Sequence, residues 1–155
     1  MKLSEVSLGD WVNDIDFGPG EILCINPDGV VLWLKTPYDG KPTSSVAFEG
    51  IEPIKITTEI LESIGWQPCV GSIKVVDLAR VPEEDRSVWA PGHPSNIRLK
   101  NEGIHGWTLT TPVFGKGPKE VNTIHQIFNL HELQHSLRDC GYYDEAEFYE
   151  TAGME

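Results

Sequence analysis

The string HELQH, at residues 131–135, is the one segment of the sequence that spells a catalytic motif. In zinc peptidases with an HExxH helix, the two histidines lie one turn apart on the same face and bind the metal. The glutamate activates a metal-bound water. This spacing would make His131 and His135 zinc ligands and Glu132 the general base of a small zinc-dependent hydrolase.

Other features of the same segment favour a structural role. A zinc site of this kind needs a third ligand, and the two positions of the longer metzincin motif hold Arg138 and Gly141. At about 100° per residue, His131 falls in the middle of the apolar face of the predicted helix and His135 at its edge. The remaining candidates for a third ligand are C-terminal glutamates: Glu145, Glu147 and Glu150. We therefore expect no metal and no other cofactor.

The middle third of the chain has the composition of an anion-binding region. Residues 74–120 hold 7 of the 12 basic residues but only 6 of the 24 acidic ones. An indole offers a stacking surface, and a guanidinium recognises carboxylate or phosphate. The sequence therefore predicts ligand-binding roles for Arg98, Trp107 and Trp89. The alternative is that Trp107 is an ordinary core residue of its strand and Trp89 an anchor of its loop.

The net charge restricts the possible partners. It is −12, and because phosphate contacts need clustered Lys and Arg, direct binding to nucleic acid is not expected. The same charge would suit an acidic mimic of nucleic acid, although the acidic residues are scattered among apolar ones. No apolar run reaches the roughly 20 residues that span a bilayer, so no membrane association is expected.

The N-terminal segment and the cysteines indicate an intracellular protein. The sequence MKLSEVSLGDWV lacks the apolar core of a signal peptide, so a cytoplasmic location is expected. Three widely spaced cysteines are then expected to be reduced thiols. The 155 residues can bury a core without a disulfide. Nothing in the sequence indicates an oligomeric state.

The first part of the chain reads as a small β unit. Short apolar stretches alternate with Gly/Pro turns over residues 8–54, and NPDG at 26–29 has the residue types of a type I turn. Several short strands within so few residues predict an SH3-like barrel or a curved antiparallel sheet over residues 1–56.

The second part, residues 57–155, is predicted to be an α+β unit. It opens with a short helix over 58–64, capped by Thr57. A strand-rich stretch follows over 70–114, in which IRLK and GWTLTT predict a hairpin. Apolar spacings of three and four then predict a closing helix at about 119–139. The two units together are expected to form one compact α+β fold.

Two segments resemble a group of known sequences. IEPIKITTEILESIGW (51–66) and VNTIHQIFNLHELQHSL (121–137) are similar to signatures of small uncharacterised proteins of Bacteroidetes and their phages, which begin with a segment resembling LGDWV…GEILCI. The resemblance covers both ends of the chain and little of 70–115. That group has an aromatic residue near position 131 and no HExxH, and its histidine matches His125. The resemblance implies a phage or mobile-element setting, a helix kept for packing, and His125 as a second-choice ligand-binding residue.

These observations lead to one expected function and two alternatives. We expect a non-enzymatic accessory protein of phage type that binds a host protein or a small anionic ligand and so counteracts a host defence. The ligand-binding residues would be Arg98, Trp107, Trp89 and His125. The alternatives are a zinc-dependent hydrolase that uses HELQH and an acidic inhibitor that mimics nucleic acid.

Overall fold

Two antiparallel β-sheets and two α-helices make up the part of the chain that the structure describes. In this computed structural model that part comprises residues 1–38, 41–70, 73–74, 87–90, 97–113 and 121–147. The predicted α+β class is confirmed. Within the described ranges, no helix has the length and apolar character that crossing a bilayer requires.

The first sheet is built from five antiparallel strands. They are β1 (Trp11–Asp14), β2 (Gly18–Asn26), β3 (Gly29–Tyr38), β4 (Lys41–Ala47) and β5 (Ile51–Pro53). Their order across the sheet is β4-β3-β2-β1-β5. The NPDG turn closes the β2–β3 hairpin, in which Asn26 pairs with Gly29, because Pro and Gly suit its tight geometry. The predicted antiparallel sheet is therefore confirmed.

The second sheet contains six antiparallel strands within the described residues. They are β6 (Gln67–Val70), β7 (Ile73–Lys74), β8 (Ser87–Trp89), β9 (Arg98–Asn101), β10 (Trp107–Pro112) and β11 (Val121–Ile127). Their order is β11-β10-β9-β8-β6-β7. β9 and β10 pair as the predicted hairpin, with Leu99 opposite Leu109. Both leucines are fully buried in the main apolar core.

The first helix, α1 (Thr58–Ser63), begins where the sequence predicts. Thr57 Oγ1 accepts a hydrogen bond of 3.2 Å from Ile60 N, which satisfies one of the unpaired N–H groups of the first turn. Leu61 is fully buried and attaches the helix to the core. Gly65, with φ of 94°, ends it in the left-handed conformation that glycine adopts readily.

The predicted helix at about 119–139 is wrong in its first half. Residues Val121–Ile127 form strand β11, and the second helix, α2, covers only Leu130–Asp139. Exposure alternates from Val121 to His125 rather than recurring every three or four residues. Several β-branched residues in this stretch favour a strand, which outweighs its apparent helical spacing.

A β-bulge explains why the spacing looked helical. Trp107 pairs with Ile127, but Leu109, two residues later, pairs with Ile124, so two residues of β10 face three of β11. Gln126 lies in this bulge with φ of 59°. The extra residue brings both Ile124 and Ile127 to the core, although they are three positions apart.

Main-chain hydrogen bonds join the two sheets beside the start of α2. Ile56 N donates to Phe128 O (3.0 Å), and Leu130 N donates to Ile54 O (2.8 Å). Trp11 of the first sheet belongs to the same apolar core as both helices and the second sheet. The segment between β5 and α1 is thereby fixed against the end of β11, which determines the geometry of the site described next.

Candidate functional site

Glu132, the catalytic residue of the hydrolase hypothesis, has a structural partner. It is the third residue of α2, and its Oε1 accepts a hydrogen bond of 3.0 Å from Asn129 N, the residue before the helix. A glutamate at this position caps the helix by satisfying a main-chain N–H group that no carbonyl reaches. The arrangement directs the carboxylate toward the helix N-terminus.

His135 is held by a buried carboxylate. Its Nε2 lies 2.7 Å from Oδ2 of Asp10, and the Asp10 side chain is fully buried. Arg138 Nη1 donates to the other oxygen (2.8 Å), and Ser7 N donates to Oδ2 (2.8 Å). Three donors therefore surround Asp10, which fixes the chain before β1 to α2 through charge-assisted hydrogen bonds.

His131 is buried more deeply than the other two motif residues, Glu132 and His135. It is 5% exposed, and its Nδ1 has no hydrogen-bond partner among the described residues. Its ring lies edge-on to that of His135, with the centroids 5.7 Å apart. Burial lowers the pKa of His131, and this effect outweighs the opposing influence of the Asp10 carboxylate. The imidazole is therefore kept neutral inside the core.

The three HELQH side chains do not converge on a common point. Within the described ranges, no group of three or more His, Cys, Asp or Glu side chains is placed to bind a metal ion. Glu132 caps the helix and His135 contacts Asp10. A cleft of about 550 Å³ opens beside His135 and Arg138, with Ser7, Leu8 and Asp139 in its lining. His131 is not among its lining residues.

The four residues predicted to bind a ligand lie on two faces of the second sheet. Trp89 is directly opposite Arg98 in the β8–β9 pair, so these two side chains share a face. Arg98 is opposite Thr110, whereas Trp107 is three positions earlier in β10. Side chains alternate along a strand, so Trp107 points to the opposite, core-facing side. The structure does not bring Trp107 together with Arg98.

His125 lies on the same face as Arg98. Its Nδ1 is 3.2 Å from Thr108 Oγ1, and Thr108 shares a face with Thr110, the partner of Arg98. His125 is exposed and Arg98 half-buried, while Trp89 is only 7% exposed. Trp89 therefore offers little indole surface for stacking. Ligand binding by this set of residues stays a prediction.

Trp107 instead contributes to a cleft on the other side of the sheet. This Lys55–Trp107 cleft, of about 440 Å³, lies between segment 55–59 and the connection from β9 to β10. Its lining includes Lys55, Thr57, Thr58, Glu59, Asn101 and Trp107. Its volume is within the range of about 300–1,000 Å³ that is usual for small-molecule sites.

Local hydrogen bonds fix both walls of the Lys55–Trp107 cleft. On one side, Lys55 forms an isolated antiparallel bridge with Asn129, next to the Thr57 cap of α1. On the other side, Asn101 Oδ1 accepts from Gly103 N (2.9 Å), and Glu102 N donates to Gly106 O (2.8 Å). These contacts define the shape of both walls of the cleft.

The cleft has the chemistry of a binding site for a small polar ligand. Trp107 lines the cleft but is only 5% exposed and belongs to the apolar core, so it adds little stacking surface. On the facing segment, Lys55 supplies a cation, and the Thr57 and Thr58 side chains carry hydroxyl groups. Glu59 adds one acidic group to the same wall. Sequence reasoning found Trp107 but not Lys55, whose role depends on the pairing of its segment with residues 128–130. The only local signal was the helix cap that follows it.

No family model, curated protein or solved structure matches the chain.

Proposed function

We propose that the protein is a non-enzymatic binding protein that holds a small anionic ligand in the Lys55–Trp107 cleft. The observation that carries this proposal is that the exposed Lys55 lines one space of about 440 Å³ together with the hydroxyl-bearing residues Thr57 and Thr58. An ammonium group attracts carboxylate or phosphate, and hydroxyl groups can donate hydrogen bonds to such an anion.

A binding role agrees with the contacts of the HELQH residues. The hydrolase alternative would need Glu132 and His135 directed at a metal and a water. Glu132 instead accepts from Asn129 N, and His135 contacts the buried Asp10 carboxylate. Both contacts have an evident role in fixing α2, so they support a structural use of the motif.

The test is calorimetric titration of wild-type protein with acetate, citrate, inorganic phosphate and a nucleoside monophosphate. We expect at least one anion to bind. Lys55→Gln should weaken that binding about tenfold or more, since a charged hydrogen bond contributes roughly 1.5–3 kcal/mol. Glu59→Gln removes a negative charge that would repel the anion, so this variant should strengthen anion binding.

A third variant tests whether the anion binds in the Lys55–Trp107 cleft or on the face of the second sheet that carries Arg98 and His125. His125→Gln changes an exposed residue on the other side of the second sheet and should leave anion binding unchanged. If His125→Gln abolishes binding and Lys55→Gln does not, the ligand belongs to the Arg98 face. If no anion binds, whether hydrophilic or amphipathic, the proposed function is wrong.

We also propose, on the resemblance to phage proteins alone, that ligand capture serves to counteract a host defence. Wild-type protein and Lys55→Gln would be expressed in a bacterial host that carries an active defence system, and phage plating would be compared. Protection of the phage by wild type and its loss in Lys55→Gln would support this setting. Equal plating with both proteins would argue against it.

A further inference from the structure

An apolar side chain forms part of the rim of the Lys55–Trp107 cleft, opposite the polar wall. Ile104 lines the cleft and is 90% exposed, the highest value among the large apolar side chains that the structure describes. A single exposed apolar residue is common on protein surfaces and carries no meaning by itself. The way in which the fold holds Ile104 in this position is more informative.

The turn that carries Ile104 is rigidly built. Residues Gly103–His105 form a 3₁₀ turn, and the glycines at 103 and 106 have φ of 64° and 80°, which side chains rarely adopt. A Cβ at Gly106 would lie 2.8 Å from Ile127 O and 3.1 Å from the Phe128 ring. The chain therefore needs glycine here, and the resulting turn keeps Ile104 exposed.

A second apolar side chain lies next to the same turn. Phe128 packs against Gly106, two residues from Ile104, and is 42% exposed. Trp107 and Ile56, both nearly fully buried, also line the cleft. Lys55 and the two threonines belong to segment 55–59, which forms the wall opposite Ile104. The cleft thus has a cation on one wall and an exposed aliphatic side chain on the other.

We infer that the ligand is an amphipathic anion: an acidic head group bound at Lys55 and an aliphatic or aromatic part that covers Ile104. This inference rests on the proposed function and specifies its ligand class. Glu59 would repel the head group, so the acid lies toward Lys55. Covering Ile104 removes exposed aliphatic surface from water, which gives affinity that a small hydrophilic anion cannot obtain.

The experiment uses octanoate as the probe, with two comparison compounds. Acetate keeps the carboxylate but lacks the chain, and octylammonium keeps the chain but reverses the charge. We expect octanoate to bind at least about tenfold more tightly than acetate, because each buried methylene adds to affinity. Octylammonium should show no saturable binding.

Two matched variants locate the apolar contact. Ile104→Asn should weaken octanoate binding about fivefold, the effect of burying about 40 Å² less aliphatic surface, and leave acetate unchanged. Leu23→Asn replaces another exposed apolar residue, which lies in the first sheet and is 48% exposed. It should change the binding of neither octanoate nor acetate. Circular dichroism confirms that both variants fold.

The outcomes distinguish this inference from the proposed function. If acetate binds as tightly as octanoate, if octylammonium binds equally well, or if Ile104→Asn has no effect, the inference is wrong. If phosphate or the nucleoside monophosphate binds at Lys55 while octanoate does not, the inference fails and the proposed function stands. If no anion binds at all, both fail.

Discussion

Replacing Gln134 of α2 should lower the free energy of unfolding strongly for a side chain of its size. Its side chain is fully buried and makes three hydrogen bonds to the main chain. Oε1 accepts from Trp11 N (2.7 Å), and Nε2 donates to Gly9 O and to Ala146 O, both at 2.8 Å. One amide thus fixes the start of β1 and the segment after α2 to the same helix.

The cost of Gln134→Leu can be worked out from these contacts. Trp11 N and Ala146 O are in buried hydrogen bonds, and each would lose its partner at a cost of about 1–3 kcal/mol. Gly9 O is only partly buried and can turn to water. The new leucine contributes about 1.5–3 kcal/mol through apolar burial. The net destabilisation should be about 2 kcal/mol.

His131→Leu is the matched control, because it makes the same kind of change three positions away on the same helix. His131 is buried, and its Nδ1 has no hydrogen bond among the described residues. Leucine therefore removes an unsatisfied polar atom and leaves no other group without its hydrogen-bond partner. We expect His131→Leu to leave the free energy of unfolding unchanged or to raise it by about 1 kcal/mol.

Urea unfolding followed by tryptophan fluorescence measures both variants. For a denaturant slope of about 2 kcal/mol/M, Gln134→Leu should lower the midpoint by about 1 M. Amide exchange at Trp11 should also accelerate, since its N–H loses the acceptor. The reasoning is refuted if Gln134→Leu is as stable as wild type, or if His131→Leu is destabilised by a similar amount.

Two further predictions concern pH and backbone strain. Burial lowers the pKa of His131 below its ordinary value of 6.5, so the unfolded chain binds a proton more readily than the folded one, and stability should fall as pH drops from 6.5 toward the folded pKa. Urea midpoints from pH 8 to 5 should show this loss in wild type and in His105→Gln, the control at an exposed histidine. The loss should be smaller in His131→Leu. Equal curves for all three proteins would show that His131 does not cause the loss. Gln126→Gly should raise the free energy of unfolding by about 0.5–1 kcal/mol, because glycine adopts the observed φ of 59° without strain. Asn122→Gly, elsewhere in β11, should lower it, and a loss of stability in Gln126→Gly would show that the bulge is not strained.

The helix that the sequence located well was the one with local signals at both ends. Thr57 precedes α1 with a side chain that can cap it, and Gly65 follows with freedom to adopt positive φ. Both effects depend only on residues within the same turn, so they are readable without knowledge of the fold. The NPDG hairpin turn was predictable for the same reason.

Strand β11 was not predictable from periodicity because its bulge changes the phase. Ile124 and Ile127 face one side of a strand only when an extra residue separates them, and Gln126 supplies it. A spacing of three in a bulged strand is indistinguishable from one in a helix. The β-branched content was the signal that favoured the strand.

The candidate site was only partly predictable, because it is formed by residues distant in sequence. Trp107 was identified as an aromatic residue near bases. Lys55 faces it across the cleft only because its segment pairs with the end of β11, through the bridge from Lys55 to Asn129. A single sequence does not give that pairing, so the only local signals for Lys55 were its charge and the helix cap that follows it.

HELQH shows how one short string can satisfy two different requirements. An HExxH zinc site needs a glutamate whose carboxylate is free to act on water. The start of α2 at Leu130 makes Glu132 its third residue, the position at which a glutamate bonds back to the N–H of the residue before the helix. The sequence Asn129-x-x-Glu132 is therefore a helix-start signal, one that also sets the boundary between β11 and α2. His131, next to it, is directed into the core, and His135, one turn later, reaches Asp10. Each of the three motif residues is thus explained by the position at which the helix begins.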